Sequence, residues 1–201
     1  LQALRAWLAR LPADLALNAD SLRPASSDAS FRRYFRLDSG HGTRIVMDAP
    51  PAQEDCAPFL HIARLLAAGG VNVPVILAEN TEEGFLLLSD LGGQTFYDAL
   101  QQPGDHGRIH TMYVDAIDTL VRLQQVPPEG LPAYDARRLA EELTVFPAWY
   151  VQTHCGYALT ETEREWLDGM FGALVARNAA QPVVLVHRDF HSPNLMMPLP
   201  D

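Results

Sequence analysis

Val183-Val-Leu-Val-His187-Arg-Asp189-Phe-His-Ser-Pro-Asn194-Leu-Met-Met197 is the stretch that orders the rest of the chain. An apolar run feeds a polar loop, and a second apolar run leaves it. The loop carries His187-x-Asp189-x-x-x-x-Asn194. A carboxylate at 189 can accept, or orient, the proton of an attacking hydroxyl. A neutral amide oxygen at 194 can bind Mg²⁺ without adding charge beside phosphate oxygens. His187 suits a role in organising the loop through hydrogen bonds. Only about 0.01 chance matches to this pattern are expected in a chain of this composition. Two other readings use the same residues. One is a polar loop that merely joins two strands. The other takes His187, Asp189 and His191 as H-x-D-x-H ligands to a divalent metal in a hydrolase, which leaves Asn194 without a part.

Upstream, the pattern changes character near residue 93. Leu1, Leu4, Leu8 and Leu11, with Trp7 alongside, have helical spacing, so a helix is expected over 1–17 and a connector over 18–24. A run of small polar residues, Ala25 to Ser30, then precedes a strand–turn–strand pattern over 31–37, 40–42 and 43–48. Phe59, Ile62, Ala63 and Leu66 mark a helix over 55–68, closed by Gly69 and Gly70. Strands are expected over 71–78 and 84–88, then a connector over 89–93. Beyond it the spacing is helical: a short helix over 95–100 and longer ones over 106–125, 135–155 and 160–178. The last opens on Thr160 and Glu163, a capping-box pair. Short strands over 183–186 and 195–197 flank the polar loop. The expected class is α+β with two lobes: a β-rich lobe over 1–92 and a helical lobe over 93–201 that carries the loop and is cut short. Leu1 stands where a Met would begin a gene and the chain stops just past an apolar segment, so a piece of a longer protein is expected.

Composition narrows the chemistry. The chain has 201 residues and is 48% hydrophobic and 20% charged, enough for a sizeable core. It carries 25 carboxylates against 15 basic residues, for a net charge of −10, which argues against a general binder of nucleic-acid backbones. All 15 basic residues are arginine. Schiff-base chemistry and a P-loop lysine are therefore excluded. A phosphate here must be held by arginine, a metal ion or backbone N–H groups. No apolar run reaches the ~20 residues of a membrane span, and residues 1–11 lack the pattern of a signal peptide. Cys56 and Cys155 have no ligand-like spacing and are expected as reduced thiols in a cytoplasmic protein.

The loop pattern is the one protein kinases use around their catalytic aspartate. In its small-molecule form, His187 to Asn194 resembles the signature of the aminoglycoside phosphotransferase/choline kinase-like superfamily. Further strings resemble one branch of it, the bacterial anomeric kinases of N-acetylmuramate and N-acetylglucosamine that serve peptidoglycan recycling. These are Ala25-Ser-Ser-Asp-Ala-Ser-Phe-Arg-Arg-Tyr-Phe-Arg36, Val46-Met-Asp-Ala-Pro-Pro51, Val71-Asn-Val-Pro74 and Gly84-Phe-Leu-Leu-Leu-Ser-Asp-Leu-Gly92. The likeness runs from about Pro24 to the end of the chain.

The resemblance implies a two-lobe, protein-kinase-like fold, ATP and Mg²⁺ as cofactors, and an amino sugar as acceptor. Asp189 would be the catalytic carboxylate and Asn194 a metal ligand. The segment Ser26, Ser27, Asp28, Ala29 and Ser30 would lie over the ATP phosphates, and Leu88, Ser89, Asp90 and Leu91 would form the hinge against adenine. Glu142, Trp149 and Tyr150 would lie near the acceptor. Two departures stand out. The second hairpin strand ends Ile45-Val-Met-Asp48, where a kinase carries its phosphate-binding lysine; Arg32, Arg33 or Arg44 could substitute. The superfamily's second metal-binding aspartate would fall beyond Asp201, itself expected in a turn, so this stretch alone is expected to have little activity. Other acceptors of the superfamily (an aminoglycoside, choline or homoserine) and a nucleotide-binding pseudokinase remain alternatives.

Overall fold

The structure is a computed structural model that describes residues 1–27, 31–104 and 106–197, without the side chains of Ser26 and Ser27. The chain divides into two compact units. The first comprises Leu1–Val126 and the segment from His187 onward; the second is Pro127–Val186.

The first unit is built on an antiparallel sheet in the order β1-β2-β3-β5-β4. Its strands are β1 (Leu17–Ser27), β2 (Arg33–Ser39), β3 (Gly42–Asp48), β4 (Ile76–Asn80) and β5 (Phe85–Ser89). Side chains alternate across a pleated sheet, and both faces are covered. Leu37, Val46, Phe85 and Leu87 face α1 (Gln2–Leu8), which buries Leu4, Trp7 and Leu8 against them. Trp7 and Phe85 meet with ring centroids 5.6 Å apart. Met47, Leu86 and Leu88 face the other way, against Cys56 and Leu60 at the start of α2 (Ala57–Ala68). Full burial of each such Leu or Met contributes about 1.5–3 kcal/mol. Gly84 makes the β4–β5 turn possible: its φ is +75°, and a Cβ there would lie 1.8 Å from the Ala49 carbonyl oxygen.

Strand β1 corrects the expectation of a connector over 18–24, and helix α1 stops at Leu8 rather than reaching residue 17. The sequence of β1, Asn18-Ala-Asp-Ser-Leu-Arg-Pro24, is polar and contains a proline, both tolerable only at a sheet edge. Its pairing with β2 is interrupted twice. At the first break the Ser21 hydroxyl accepts the Asp38 N–H at 2.7 Å, in place of a backbone carbonyl. Beyond the sheet come α3 (Phe96–Gln101), capped by Thr95 and Asp98, and α4 (His106–Gln124), which buries Met112, Ala116 and Leu123.

The second unit holds α5 (Ala136–Leu143), a π-helical segment (Phe146–His154) and α6 (Glu161–Ala179). The Thr160–Glu163 capping box forms as its spacing predicts. One continuous helix over 135–155 does not. Pro147 has no N–H to give the Leu143 carbonyl, and the chain widens into π geometry there. Residues 183–186 form no strand either: Val183 is 94% exposed and only Leu185 is buried. A β run holds its shape by ladder pairing, and no described segment pairs with this one. The α+β class is as expected; among the described residues no helix is long and apolar enough to cross a membrane.

Candidate active site

The loop from His187 to Asn194 belongs to the first unit and is anchored from its downstream side. The Phe96 N–H donates to the Leu195 carbonyl at 2.7 Å, and the Met197 N–H donates to the Gln94 carbonyl at 2.9 Å. Thr95 and Met196 thereby form an isolated antiparallel bridge, the realised part of the strand expected over 195–197. Phe190, Leu195 and Met197 pack against Phe96, Ala99, Met112 and Ala116 of α3 and α4. Apolar residues on both sides of a polar turn thus fix the turn to a helical base.

Within the loop, Asp189 and Asn194 meet. The Asn194 Nδ2 donates to the Asp189 carboxylate at 2.6 Å and to the Asp189 carbonyl at 3.0 Å. A single 3-10 turn, Ser192–Asn194, brings the amide back to the carboxylate. With both amide hydrogens on the nitrogen side, these bonds turn the Asn194 Oδ1 away from Asp189, as a metal ligand requires. The other carboxylate oxygen lies 3.2 Å from His191 Nε2. Asp189 is 73% exposed, so a substrate hydroxyl can reach it.

His187 organises the loop. Its Nδ1 accepts the Asp189 N–H at 3.3 Å, and its ring meets Phe190 edge-on with centroids 5.4 Å apart. Burial holds the imidazole below its ordinary pKa, and the nearby His191 adds to this; the Asp189 charge opposes it without prevailing. The ring is therefore neutral near pH 7, which keeps Nδ1 an acceptor. Arg188 between them has φ +72°, an uncommon conformation for a residue with a Cβ. With His187 so engaged, His187, Asp189 and His191 do not converge. Among the described residues no group of three or more His, Cys, Asp or Glu could hold a metal ion, which removes the basis of the H-x-D-x-H reading.

The hairpin residues sort less evenly. Asp28, Ala29 and Ser30 lie outside the described residues, as do the Ser26 and Ser27 side chains and Asp201. Arg32 reaches Glu54, its Nε 3.3 Å from Oε2. Arg33 pairs with the buried Asp48 at 2.5 Å. Arg44 bonds the Thr43 carbonyl at 2.9 Å and leaves its buried Nε without a partner.

In the segment expected as the hinge, Leu88 is buried and paired with Ile45 and Ile76. The Ser89 N–H donates to the Val75 carbonyl at 2.9 Å, and the Ser89 hydroxyl accepts the Val75 N–H at 2.8 Å. Leu91 is half-buried. Asp90 is held by Arg36 through Nε at 2.6 Å and a terminal nitrogen at 3.0 Å, by Thr43 Oγ1 at 2.7 Å and by the Gly92 N–H at 2.9 Å. Burial pushes the Asp90 carboxyl up, but these bonds and the Arg36 charge outweigh it and hold it below the usual range. The Asp90 side chain is therefore engaged within the protein, by Arg36, Thr43 and Gly92.

Glu142, Trp149 and Tyr150 lie in the second unit. The Tyr134 hydroxyl donates to Glu142, which also pairs with Arg138 Nε at 3.4 Å. Trp149 is 67% exposed, and Tyr150 stacks between Phe146 and His154 with centroids 5.6 Å away on each side. Arg36, Thr43 and Glu54 are the contributors that sequence reasoning missed. Arg36 shares the inward face of β2 with Tyr34, and a charge at such a position calls for a buried carboxylate.

A five-stranded antiparallel sheet with helices, joined to an Asp189–Asn194 loop, defines the kinase-like phosphotransferase class. The chain belongs to the phosphotransferase enzyme family (APH), whose model matches residues 21–200. It is similar to proteins named N-acetylmuramate/N-acetylglucosamine kinase. That of Pseudomonas aeruginosa is 50% identical over 182 residues, covering 90% of this chain and 52% of the relative. That of Pseudomonas putida is 42% identical over 209 residues, covering 100% and 60%. That of Neisseria meningitidis serogroup B is 40% identical over 175 residues, covering 86% and 52%. The chain spans between about half and three fifths of the length of these relatives.

Proposed function

We propose that the protein transfers the γ-phosphate of ATP to a hydroxyl of a small molecule, the anomeric hydroxyl of N-acetylmuramate or N-acetylglucosamine, in cytoplasmic cell-wall recycling. The observation that carries this reading is the contact between Asp189 and Asn194 within one anchored turn. Family membership and the names of the relatives support it.

Asp189 would orient the acceptor hydroxyl and take its proton as the oxygen attacks phosphorus. Asn194 would give Oδ1 to Mg²⁺ while Nδ2 stays on Asp189, so one side chain ties the carboxylate to the metal. Bound Mg²⁺ would neutralise charge on the phosphate oxygens. The hairpin from Ser26 to Ser30 would cover the phosphates through hydroxyl and backbone donors. Adenine would meet the backbone of Asp90 and Leu91, since Ser89 has its N–H in the sheet. The lobe reading, 1–92 for nucleotide and 93–201 for catalysis, is part of the same proposal, as is a place for Trp149 and Tyr150 near the sugar.

The experiment is ADP release by the full-length protein with Mg-ATP and each amino sugar, beside choline, homoserine and an aminoglycoside. Turnover of the amino sugars is expected, and Asp189→Asn should lower kcat by roughly 10²–10⁴-fold. Turnover of a cationic acceptor alone would replace the amino sugar. Nucleotide binding without any turnover would make the protein a pseudokinase.

A further inference from the structure

The sequence holds no lysine, and at the end of β3, Ile45-Val-Met-Asp48, where the resemblance expects one, Met47 is fully buried on the α2 side. A side-chain cation on the nucleotide phosphates must therefore be an arginine. Four arginines lie on or beside the β2–β3 hairpin, and the structure separates them. Arg33 alternates with Tyr34, so it points to the α1 side, and it is bound to buried Asp48 at 2.5 Å. Arg44 shares its face with Val46, again the α1 side. Arg36 is on the α2 side, but it gives Nε and a terminal nitrogen to Asp90 and to the Gly92 carbonyl at 2.8 Å.

Arg32 differs. It stands at the base of the loop that joins β1 to β2, beside Tyr34, whose strand partner is Met47. It therefore lies on the α2 side, next to the end of β3 where the resemblance expects a lysine. Its Nε donates to Glu54, in the segment leading into α2, and its charge reaches Cys56 there. Glu54 is only 14% exposed and uses both oxygens: Oε2 on Arg32 and Oε1 on the Phe31 N–H at 3.1 Å. One carboxylate thus fixes the guanidinium and the backbone next to it.

We propose that Arg32 is the cation that grips the ATP phosphates, and that Glu54 is the residue that positions it. The assignment rests on the phosphotransferase reading given above. A guanidinium carries five N–H donors in a planar fork, so binding to Glu54 is compatible with simultaneous, bidentate contact to phosphate oxygens. A lysine, with one nitrogen, does the same work from a strand; an arginine, being longer, can do it from the loop base.

The test is titration of the full-length protein with Mg-ATP and with adenosine, read by calorimetry, beside the ADP-release assay. Arg32→Ala should weaken Mg-ATP binding by roughly 10- to 100-fold and leave adenosine binding unchanged. Arg32→Lys should restore part of the loss. Glu54→Gln should weaken Mg-ATP alone in the wild-type background and add little to Arg32→Ala, because it acts through Arg32. Arg33→Ala and Arg44→Ala should keep wild-type Mg-ATP affinity. Wild-type Mg-ATP affinity in Arg32→Ala, with wild-type turnover intact, overturns the assignment alone. Equal loss of Mg-ATP and adenosine binding in Arg32→Ala also overturns it. Absence of nucleotide binding and turnover in the wild type overturns the phosphotransferase reading itself.

Discussion

Replacing Arg36 by methionine removes the cation from a carboxylate held by four described hydrogen bonds. Asp90 has a side chain only 4% exposed, and Arg36 is 24% exposed. Four described hydrogen bonds reach Asp90; two come from Arg36, and the Thr43 hydroxyl and Gly92 N–H would remain. Breaking a buried ion pair by removing one partner costs about 3–5 kcal/mol. The two surviving donors and the partial exposure of Arg36 place Arg36→Met near the lower end, about 3 kcal/mol. In a chain of this size that lowers Tm by about 6–12 °C. Asp90→Asn keeps the shape but not the charge, and in the Arg36→Met background it should recover part of the loss, since no uncompensated charge is then buried. A cycle of the two variants, read by urea and thermal unfolding, should give a coupling above about 1.5 kcal/mol. The pH dependence has a definite sign. Asp90 is held below its ordinary pKa in the folded state, so the pair's contribution is present above about pH 4 and is lost as pH falls through the lowered value. The gap between wild type and Arg36→Met should therefore narrow in acid. Additivity of the two substitutions within about 0.5 kcal/mol would refute the reasoning, as would a gap that widens on acidification.

Three other substitutions test neighbouring claims. His187 is held below 6.5 by burial, so folded protein binds its proton less readily than unfolded protein; stability should fall as pH drops below about 6.5, and His187→Gln should abolish that part of the slope. An imidazole titration by NMR with a midpoint above 6.5 would contradict this. Gly84→Ala should cost at least about 3 kcal/mol, because its Cβ would meet the Ala49 carbonyl oxygen at 1.8 Å and its φ is +75°. Gly42→Ala, with φ +90° and nothing within 4 Å, should cost only the backbone strain of about 1–2 kcal/mol. Equal Tm shifts for the two would count against the Ala49 contact.

The fold was legible in the sequence wherever apolar periodicity was strong. Helices α2, α3, α4 and α6 and strands β2, β3 and β5 sit within a few residues of where their patterns predict. The failures have physical causes. Strand β1 is recruited by an edge that needs only backbone donors and acceptors, so its side chains need not alternate in polarity. Residues 183–186 carry the composition of a strand, but composition supplies no ladder partner. Pro147 was visible from the start, yet an α-helical pattern does not say whether a proline kinks the helix, ends it or widens it to π geometry.

The site divides along the same line. Asp189 and Asn194 were legible because they are five residues apart in one turn, and a turn is a local object whose geometry follows from spacing. Arg32 was legible only as one of three arginines. Choosing among them depends on which face of the sheet each side chain takes, and that is fixed by register: Tyr34 opposite Met47 puts Arg32 on the α2 side, and Val46 puts Arg44 on the other. Glu54 and Asp90 depend on contacts across 22 and 54 residues of chain, which no local pattern encodes. An arginine-only chain makes this dependence sharper than usual. A lone lysine in β3 would have announced itself, whereas fifteen arginines distinguish themselves only by the carboxylates that hold them. The carboxylate partner, rather than the cation, is therefore the informative signal for assigning roles to the arginines of this protein: Asp48 and Asp90 bind theirs within the sheet and hinge, and Glu54 binds Arg32 at the loop base where the phosphates are proposed to lie.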